Sequence, residues 1–326
     1  MPSGRERPAL GNPLRPVLLA AGRSPRLERA VSRVGLTRRV VDRFVPGESE
    51  RAVLDAAASL LASGRFISVD YLGEDTTDAR QAEATVQAYL SLLRDLGALP
   101  VPAHPGVPAL EISVKLSALG QALPGDGHQV ALANARTICR AADQAGVWVT
   151  VDAEDHTTTD STLEIVRALR ADHPDVATVL QAYLHRTEDD CRSLAGPGSR
   201  IRLCKGAYAE PASVAFQSAA DVDDSYRRCL QVLMEGKGYP MVATHDPAMI
   251  DAARALVSST GRGRNGYELQ MLYGIRDAEQ RRLVAEGHHV RVYTPYGDRW
   301  YGYFMRRLAE RPANLTFFLR SLVSRG

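Results

Sequence analysis

From about residue 60 the chain repeats one rhythm: a short apolar or β-branched run, a polar loop, then a longer segment with apolar residues at helical spacing. The runs 66–70, 110–115, 147–152, 177–181, 201–205, 240–244, 267–270 and 290–293 predict strands. Several are nearly continuous apolar runs between turn residues, the pattern of parallel strands covered on both faces. Segments 79–96, 129–145, 160–171 and 223–234 carry the 3.6-residue period. Gly146 follows the second of these, where a left-handed residue commonly closes a helix. Strands alternating with helices in this way predict an α/β fold, a (β/α)8 barrel of TIM type. An open doubly wound sheet is disfavoured because no GxGxxG follows the first strand, and no GxxxxGK[ST] occurs anywhere. The expected division is a tail and N-terminal helical segment over 1–59, then a catalytic barrel over 60–326.

Composition narrows the function. Net charge is +2, with no concentrated basic patch after residue 45, which argues against a nucleic-acid partner. Nearly all basic residues are arginine, so the three lysines, Lys115, Lys205 and Lys237, stand out. Cys139, Cys191, Cys204 and Cys229 form no CxxC pair and no cluster with histidine. No metal site is expected, and scattered thiols suit a reducing cytoplasm. No apolar run approaches the roughly 20 residues that span a bilayer. The arginine-rich start has little serine and several prolines, so it reads as a loose tail rather than a targeting peptide. The stretch GRGRNG at 261–266 reads as a flexible loop.

The polar residues have a positional logic. Barrel enzymes carry their chemistry at the C-terminal ends of the strands. Here those ends hold Lys115, Asp152, Gln181, Lys205, Thr244 with His245, Gln270 and Tyr293. One such residue alone is more often a loop hydrogen-bonder; the whole series in register marks a site. After the last strand, a helix over 300–308 places Tyr303, Arg306, Arg307 and Glu310 at i, i+3, i+4 and i+7, on one face. An isolated pair of this kind is usually a solvated face. Beside a barrel mouth, adjacent guanidinium groups suit bidentate capture of a carboxylate.

Around these residues, IRLCKGAYAEP (201–211), VATHDP (242–247), YELQMLYG (267–274) and VRVYTPYGDRWYGYFMRRLAE (290–310) closely resemble the proline dehydrogenase family. So do FISVDYLGE (66–74), ISVKLSALG (112–120) and TVDAED (150–155). The resemblance runs in order from about residue 60 to 320; one departure is Cys204, where valine is common. It implies a distorted (β/α)8 barrel with non-covalent FAD. The implied activity is oxidation of L-proline to Δ1-pyrroline-5-carboxylate by hydride transfer to flavin N5, the first step of proline catabolism. Electrons would pass to a quinone, with the protein cytoplasmic or peripheral at the inner face of the plasma membrane. Carried over by motif, Lys115, Arg306 and Arg307 meet the substrate carboxylate, while Asp152, Leu272, Tyr293 and Tyr303 surround its ring. Gln181, Arg202, Lys205, Gly206, Ala207, Thr244, His245 and Gln270 contact the cofactor, and Glu74 is a gate residue that pairs with Arg306.

The chemistry wants such residues. Removing a hydride from the carbon beside the ring nitrogen needs that nitrogen's lone pair, and cationic neighbours disfavour the ammonium form. An arginine near a flavin stabilises the charge that the flavin gains. Two other readings remain at this point. Lys115 or Lys205 could be the Schiff-base amine of a barrel aldolase. Alternatively, the arginine-rich chain could be a nucleic-acid or partner-binding protein without catalysis.

Overall fold

The structure is a computed structural model that describes residues 41–74, 76–101 and 106–310. The chain divides into two compact units: Arg43–Asp298, and a second that joins Met1–Asp42 to Arg299–Gly326. Residues 1–40, on which most of the expected N-terminal helical segment falls, lie outside the described residues, as do residues 311–320 of the resemblance. Among the described residues no helix is long and apolar enough to cross a membrane.

The Arg43–Asp298 unit opens with helix α1 (Glu50–Ala62), whose first turn is capped by the Ser49 hydroxyl accepting from the Ala52 N–H. Strands β1 (Phe66–Tyr71), β2 (Leu110–Val114), β3 (Trp148–Val151) and β4 (Ala177–Gln181) follow in turn. Then come β5 (Arg200–Cys204), β6 (Tyr239–Ala243), β7 (Glu268–Leu272) and β8 (Val290–Tyr296). Each strand pairs in parallel with the next and β8 returns to β1, so the eight close into a barrel. All eight expected strands are present with their ends shifted slightly; β8 runs on to Tyr296, where it pairs with Tyr71.

The crossover helices are α2 (Ala79–Gly97), α3 (Gly127–Ala145), α4 (Thr159–Arg170), α5 (Thr187–Leu194), α6 (Ala219–Glu235), α7 (Pro247–Thr260) and α8 (Asp277–Ala285). Their ends follow local chemistry. Asp78, Ser218 and Asp246 cap α2, α6 and α7 through their side chains, Pro247 occupies the first turn of α7, and Gly146 closes α3 at φ 66°.

Side-chain parity then decides what lies inside. Successive residues of a strand point to opposite faces. Ile67, Val69, Ile112, Val114, Val149 and Val151 belong to one buried apolar cluster with the helices, and Ile201, Leu203, Val242, Leu269, Met271 and Val290 to another. Their neighbours of the other parity face the barrel interior, and many are polar: Ser68 and Asp70, Glu111 and Ser113, Arg200 and Arg202, Glu268 and Gln270, Arg291 and Tyr293. The strands are therefore not uniformly apolar, as the sequence pattern suggested. They alternate, with the apolar core outside the barrel wall and charge within it, unlike the usual filling of branched apolar residues.

Those charges are paired. The carboxylate of Glu111 accepts from Arg200 Nη2 and Arg202 Nη2, both at 2.6 Å, and Arg291 Nε lies 3.9 Å away. Burial pushes the Glu111 carboxyl up, but the charges of Arg291, Arg202 and Arg200 outweigh that and hold it at about 2. Arg291 also donates from Nε and Nη2 to Glu268 at 2.7 and 2.9 Å, while the Arg200 guanidinium lies 3.5 Å from the centre of the Trp148 ring. At the outer surface, the loop 261–266 is held rather than loose. Its Arg262 guanidinium donates to the carbonyls of Leu233, Met234, Gly236, Gly238 and Gly266.

Removing one partner from a buried ion cluster leaves uncompensated charge, at a cost of about 3–5 kcal/mol. Glu111→Gln is therefore expected to lower unfolding stability by that order in urea titration; a loss under about 1 kcal/mol would mean that the cluster is not held together by this carboxylate.

Candidate active site

Because every strand runs the same way, all C-terminal ends open on one rim, and parity carries the interior pattern up to it. Two positions above Glu111 and Ser113 the inward series reaches Lys115; above Thr150 it reaches Asp152; above Arg291, Tyr293. The structure joins these. Lys115 Nζ lies 2.6 Å from Asp70 Oδ2, 3.4 Å from Asp152 Oδ2 and 3.2 Å from the Tyr293 hydroxyl. The Tyr293 hydroxyl is itself 2.6 Å from Asp70 Oδ2 and 2.9 Å from Asp152 Oδ2.

Arg202 connects this cluster to the barrel floor. All five of its N–H groups have protein acceptors: Nε reaches Gln270, Nη1 reaches Ser113 and Asp152, and Nη2 reaches Ser68 and Glu111, at 2.6 to 3.2 Å. Burial alone would push the Lys115 ammonium down; Asp70 and then Asp152 reverse that and hold it well above the ordinary lysine range. Burial, then Asp152 and Asp70, push the Tyr293 phenol well up, so it stays neutral.

A second group of expected residues lies on the β5–β7 side of the rim. Lys205 pairs with Asp223 at 2.5 Å and Asp246 at 2.7 Å. Gly206, at φ 113°, passes so close to Tyr183 that a Cβ would sit 2.3 Å from the ring, which only glycine tolerates. Ala207 follows it, half-buried. Thr244 donates its N–H to the Gln270 carbonyl at 3.1 Å, and His245 Nε2 accepts from the Leu272 N–H at 2.9 Å. Gln181 Nε2 donates to the Glu154 carbonyl at 2.8 Å.

Glu74 follows β1 and is near enough to Lys115 to help raise it. Tyr303, Arg306 and Arg307 sit on α9 (Trp300–Glu310), in the second unit, where the Arg307 guanidinium lies 5.0 Å from the Tyr303 ring centre. Glu74 and Arg306 thus belong to different units.

Two carboxylates were absent from the sequence expectation. Asp70 ends the expected run 66–70, one residue before the end of β1, so the strand-tip criterion that picked Lys115 and Asp152 also applied to it. Glu154, two residues beyond Asp152, accepts from the Ser117 N–H at 3.0 Å and from the Ser117 hydroxyl. Burial pushes its carboxyl up to about 7 against those two hydrogen bonds.

Fold and rim together define the class: a (β/α)8 barrel with a buried cation–carboxylate–phenol cluster at the strand ends where such enzymes act. Residues 53–320 match the family model described as "Proline dehydrogenase", and the chain belongs to the proline dehydrogenase family. It is 39% identical over 288 residues to "Proline dehydrogenase" of Deinococcus radiodurans, covering 87% of this chain and 90% of that one. It is 34% identical over 312 residues to "Proline dehydrogenase 1" of Bacillus subtilis strain 168, covering 96% and 100%. Among solved structures, proline utilization A from Bdellovibrio bacteriovorus, inactivated by N-propargylglycine, superposes with a TM-score of 0.79 at 23% identity, over 89% of this chain. The Bradyrhizobium japonicum protein of the same name gives 0.71 at 23% identity. These two share the fold, and this chain spans 34% and 33% of their lengths.

Glu154 gives the protein a pH-dependent stability. Its folded value lies above that of an ordinary carboxyl, so the folded state binds this proton more tightly. The stability it contributes is complete below the unfolded value and is lost as pH rises through about 7, up to about 3 kcal/mol. Urea unfolding between about pH 5 and pH 8 is expected to show a smaller loss for Glu154→Gln than for the parent; equal losses would remove Glu154 as the cause.

Proposed function

We propose that this chain oxidises L-proline to Δ1-pyrroline-5-carboxylate with a non-covalently held FAD, electrons then leaving to a quinone at a membrane surface. The observation that carries the reading is the match of its rim motifs and of most of its length to one family, with Lys115, Asp152, Tyr293 and Arg202 gathered in one buried cluster.

The β5–β7 side of the rim suits a flavin nucleotide. It offers a half-buried cation at Lys205, held between Asp223 and Asp246, and a buried threonine at Thr244. Gln181, Arg202, Lys205, Gly206, Ala207, Thr244, His245 and Gln270 would hold the group, and bound FAD would supply a two-electron acceptor. Arg202 acts here through its charge, since each of its N–H groups already has a protein acceptor.

For the substrate, the family pattern that the motifs match assigns Lys115, Arg306 and Arg307 to the carboxylate, and Asp152, Leu272, Tyr293 and Tyr303 to the pyrrolidine ring. Cations so placed favour the neutral amine that the reaction needs. A Schiff-base role for Lys115 is disfavoured on the same geometry. That chemistry needs an amine free of its proton, whereas two carboxylates hold this one charged.

Purified protein is expected to show a flavin absorption spectrum that bleaches when L-proline is added without air; no flavin, or no bleaching, would overturn the reading. A charge-assisted hydrogen bond contributes about 1.5–3 kcal/mol, so Arg306→Met and Arg307→Met are each expected to raise KM for proline by about tenfold or more. FAD content measured alongside is expected to be unchanged, and parental KM in both variants would remove the clamp.

A further inference from the structure

The hydrogen atoms in the Lys115 cluster do not add up with both aspartates ionised. The Tyr293 hydroxyl has one hydrogen to donate, yet carboxylate oxygens approach it at 2.6 Å (Asp70 Oδ2) and 2.9 Å (Asp152 Oδ2). Lys115 can place a proton on the phenol oxygen only as a donor to it, 3.2 Å away, which satisfies neither carboxylate contact. One of the two oxygen–oxygen contacts therefore lacks a hydrogen unless the cluster holds another.

The two carboxylates differ in what else they bind. Asp152 Oδ1 accepts from Ser113 at 2.7 Å and Arg202 at 2.8 Å, the surroundings of an ionised group. Asp70 is more deeply buried, and its Oδ1 has no hydrogen-bond partner among the described residues. An unsatisfied buried oxygen costs more on an anion than on a neutral acid. The other groups facing Asp70 do not alter the count. Tyr89, from α2, already donates to the Ser113 carbonyl, and Glu74 and Glu154 act near Lys115 without supplying a hydrogen to the Tyr293–Asp contacts.

We propose that Asp70, Tyr293 and Asp152 share one extra proton, and that this proton readies Lys115 to receive a carboxylate ligand. With it, the two aspartates carry one negative charge between them and Lys115 keeps part of its attraction for an incoming anion. Without it, two anions surround the ammonium and a third is repelled. Asp70 is thus a positioning residue that acts through Lys115 and Tyr293. The burial of Asp70 acts in the same direction, raising its carboxyl more than Lys115 lowers it. The carboxylate ligand is the one assigned under the proposed function, but the proton itself does not depend on that assignment.

Two measurements on the full chain test this. Infrared spectra of protein carrying carbon-13 in its aspartate side chains report a protonated aspartate as an isotope-shifted carboxylic-acid band, distinct from Glu154. The band is expected in the parent near neutral pH and absent from Asp70→Asn. No band in the parent, or a band persisting in the variant, overturns the shared proton whatever the enzyme's substrate.

The second measurement is the affinity of cyclopentanecarboxylate, which has the ring and the carboxylate but no titrating nitrogen, in chains that also carry Glu154→Gln. In the Asp70 parent the dissociation constant is expected to rise by about tenfold per pH unit once the shared proton is lost, and in Asp70→Asn to stay flat. A parent with no rise from about pH 6 to pH 10, or a variant that tracks it, overturns the link to carboxylate binding. Failure of the wider functional reading shows separately, as absent flavin or absent binding of this carboxylate at any pH.

Discussion

Charge buried inside the barrel wall is the constraint that organises this molecule. Glu111 is fully enclosed, and three guanidinium groups converge on it from β5 and β8. An enclosed charge survives only where its partners are fixed in place. Arg202 consequently has no freedom: two N–H groups point to Ser68 and Glu111, two to Ser113 and Asp152, one to Gln270. What fixes Arg202 also fixes Asp152, and Asp152 with Asp70 fixes Tyr293 and Lys115. A continuous chain of charge-assisted contacts therefore runs from the barrel floor to the rim, and the rim geometry is set by residues several ångströms below it.

This arrangement separates two tasks that most barrels combine. The apolar burial that stabilises the fold lies between strands and helices, in clusters that include Ile112, Val151, Leu203 and Met271. The barrel interior contributes less through the hydrophobic effect and more through position. Buried ion networks are poor sources of net stability compared with apolar packing, but they tolerate few alternative geometries. A site that must hold a lysine, two aspartates and a tyrosine within hydrogen-bonding reach gains from a support of that kind.

Much of this was legible in the sequence. The alternation of strands and helices predicted the barrel, and the strand-tip residues Lys115, Asp152 and Tyr293 lie together in one cluster. Asp70, the last residue of the run 66–70, met the same criterion but was not among the expected site residues. Glu111, Glu268 and Arg291 were hidden for a physical reason. Their strands look like apolar runs with an occasional charge, and parity has meaning only once it is known that the interior is the polar side. Their partners are also remote in the chain: Arg200 and Glu111 are 89 residues apart, Arg291 and Glu268 are 23. Arg262 illustrates the same limit at the surface. In GRGRNG the glycines signalled looseness, but the guanidinium collects carbonyls from the end of α6 that no local pattern announces.

Lys115 shows how the fold prepares chemistry before any ligand arrives. An amine moved into a low-dielectric barrel on its own would shed its proton, and would then suit nucleophilic attack on a carbonyl. Two aspartates at the tips of the strands on either side of its own prevent this, keeping the ammonium charged across the whole physiological range. Those same aspartates compete with any incoming carboxylate for the lysine. On the proposed function, a site built in this way binds its anion by exchange of partners rather than by capture of a free cation. Its affinity then depends on how much negative charge the aspartates carry, and in a pair so close to one phenol oxygen that charge is governed by a proton. On the proposed reading, carboxylate recognition in this barrel begins with the two acids that already surround the lysine.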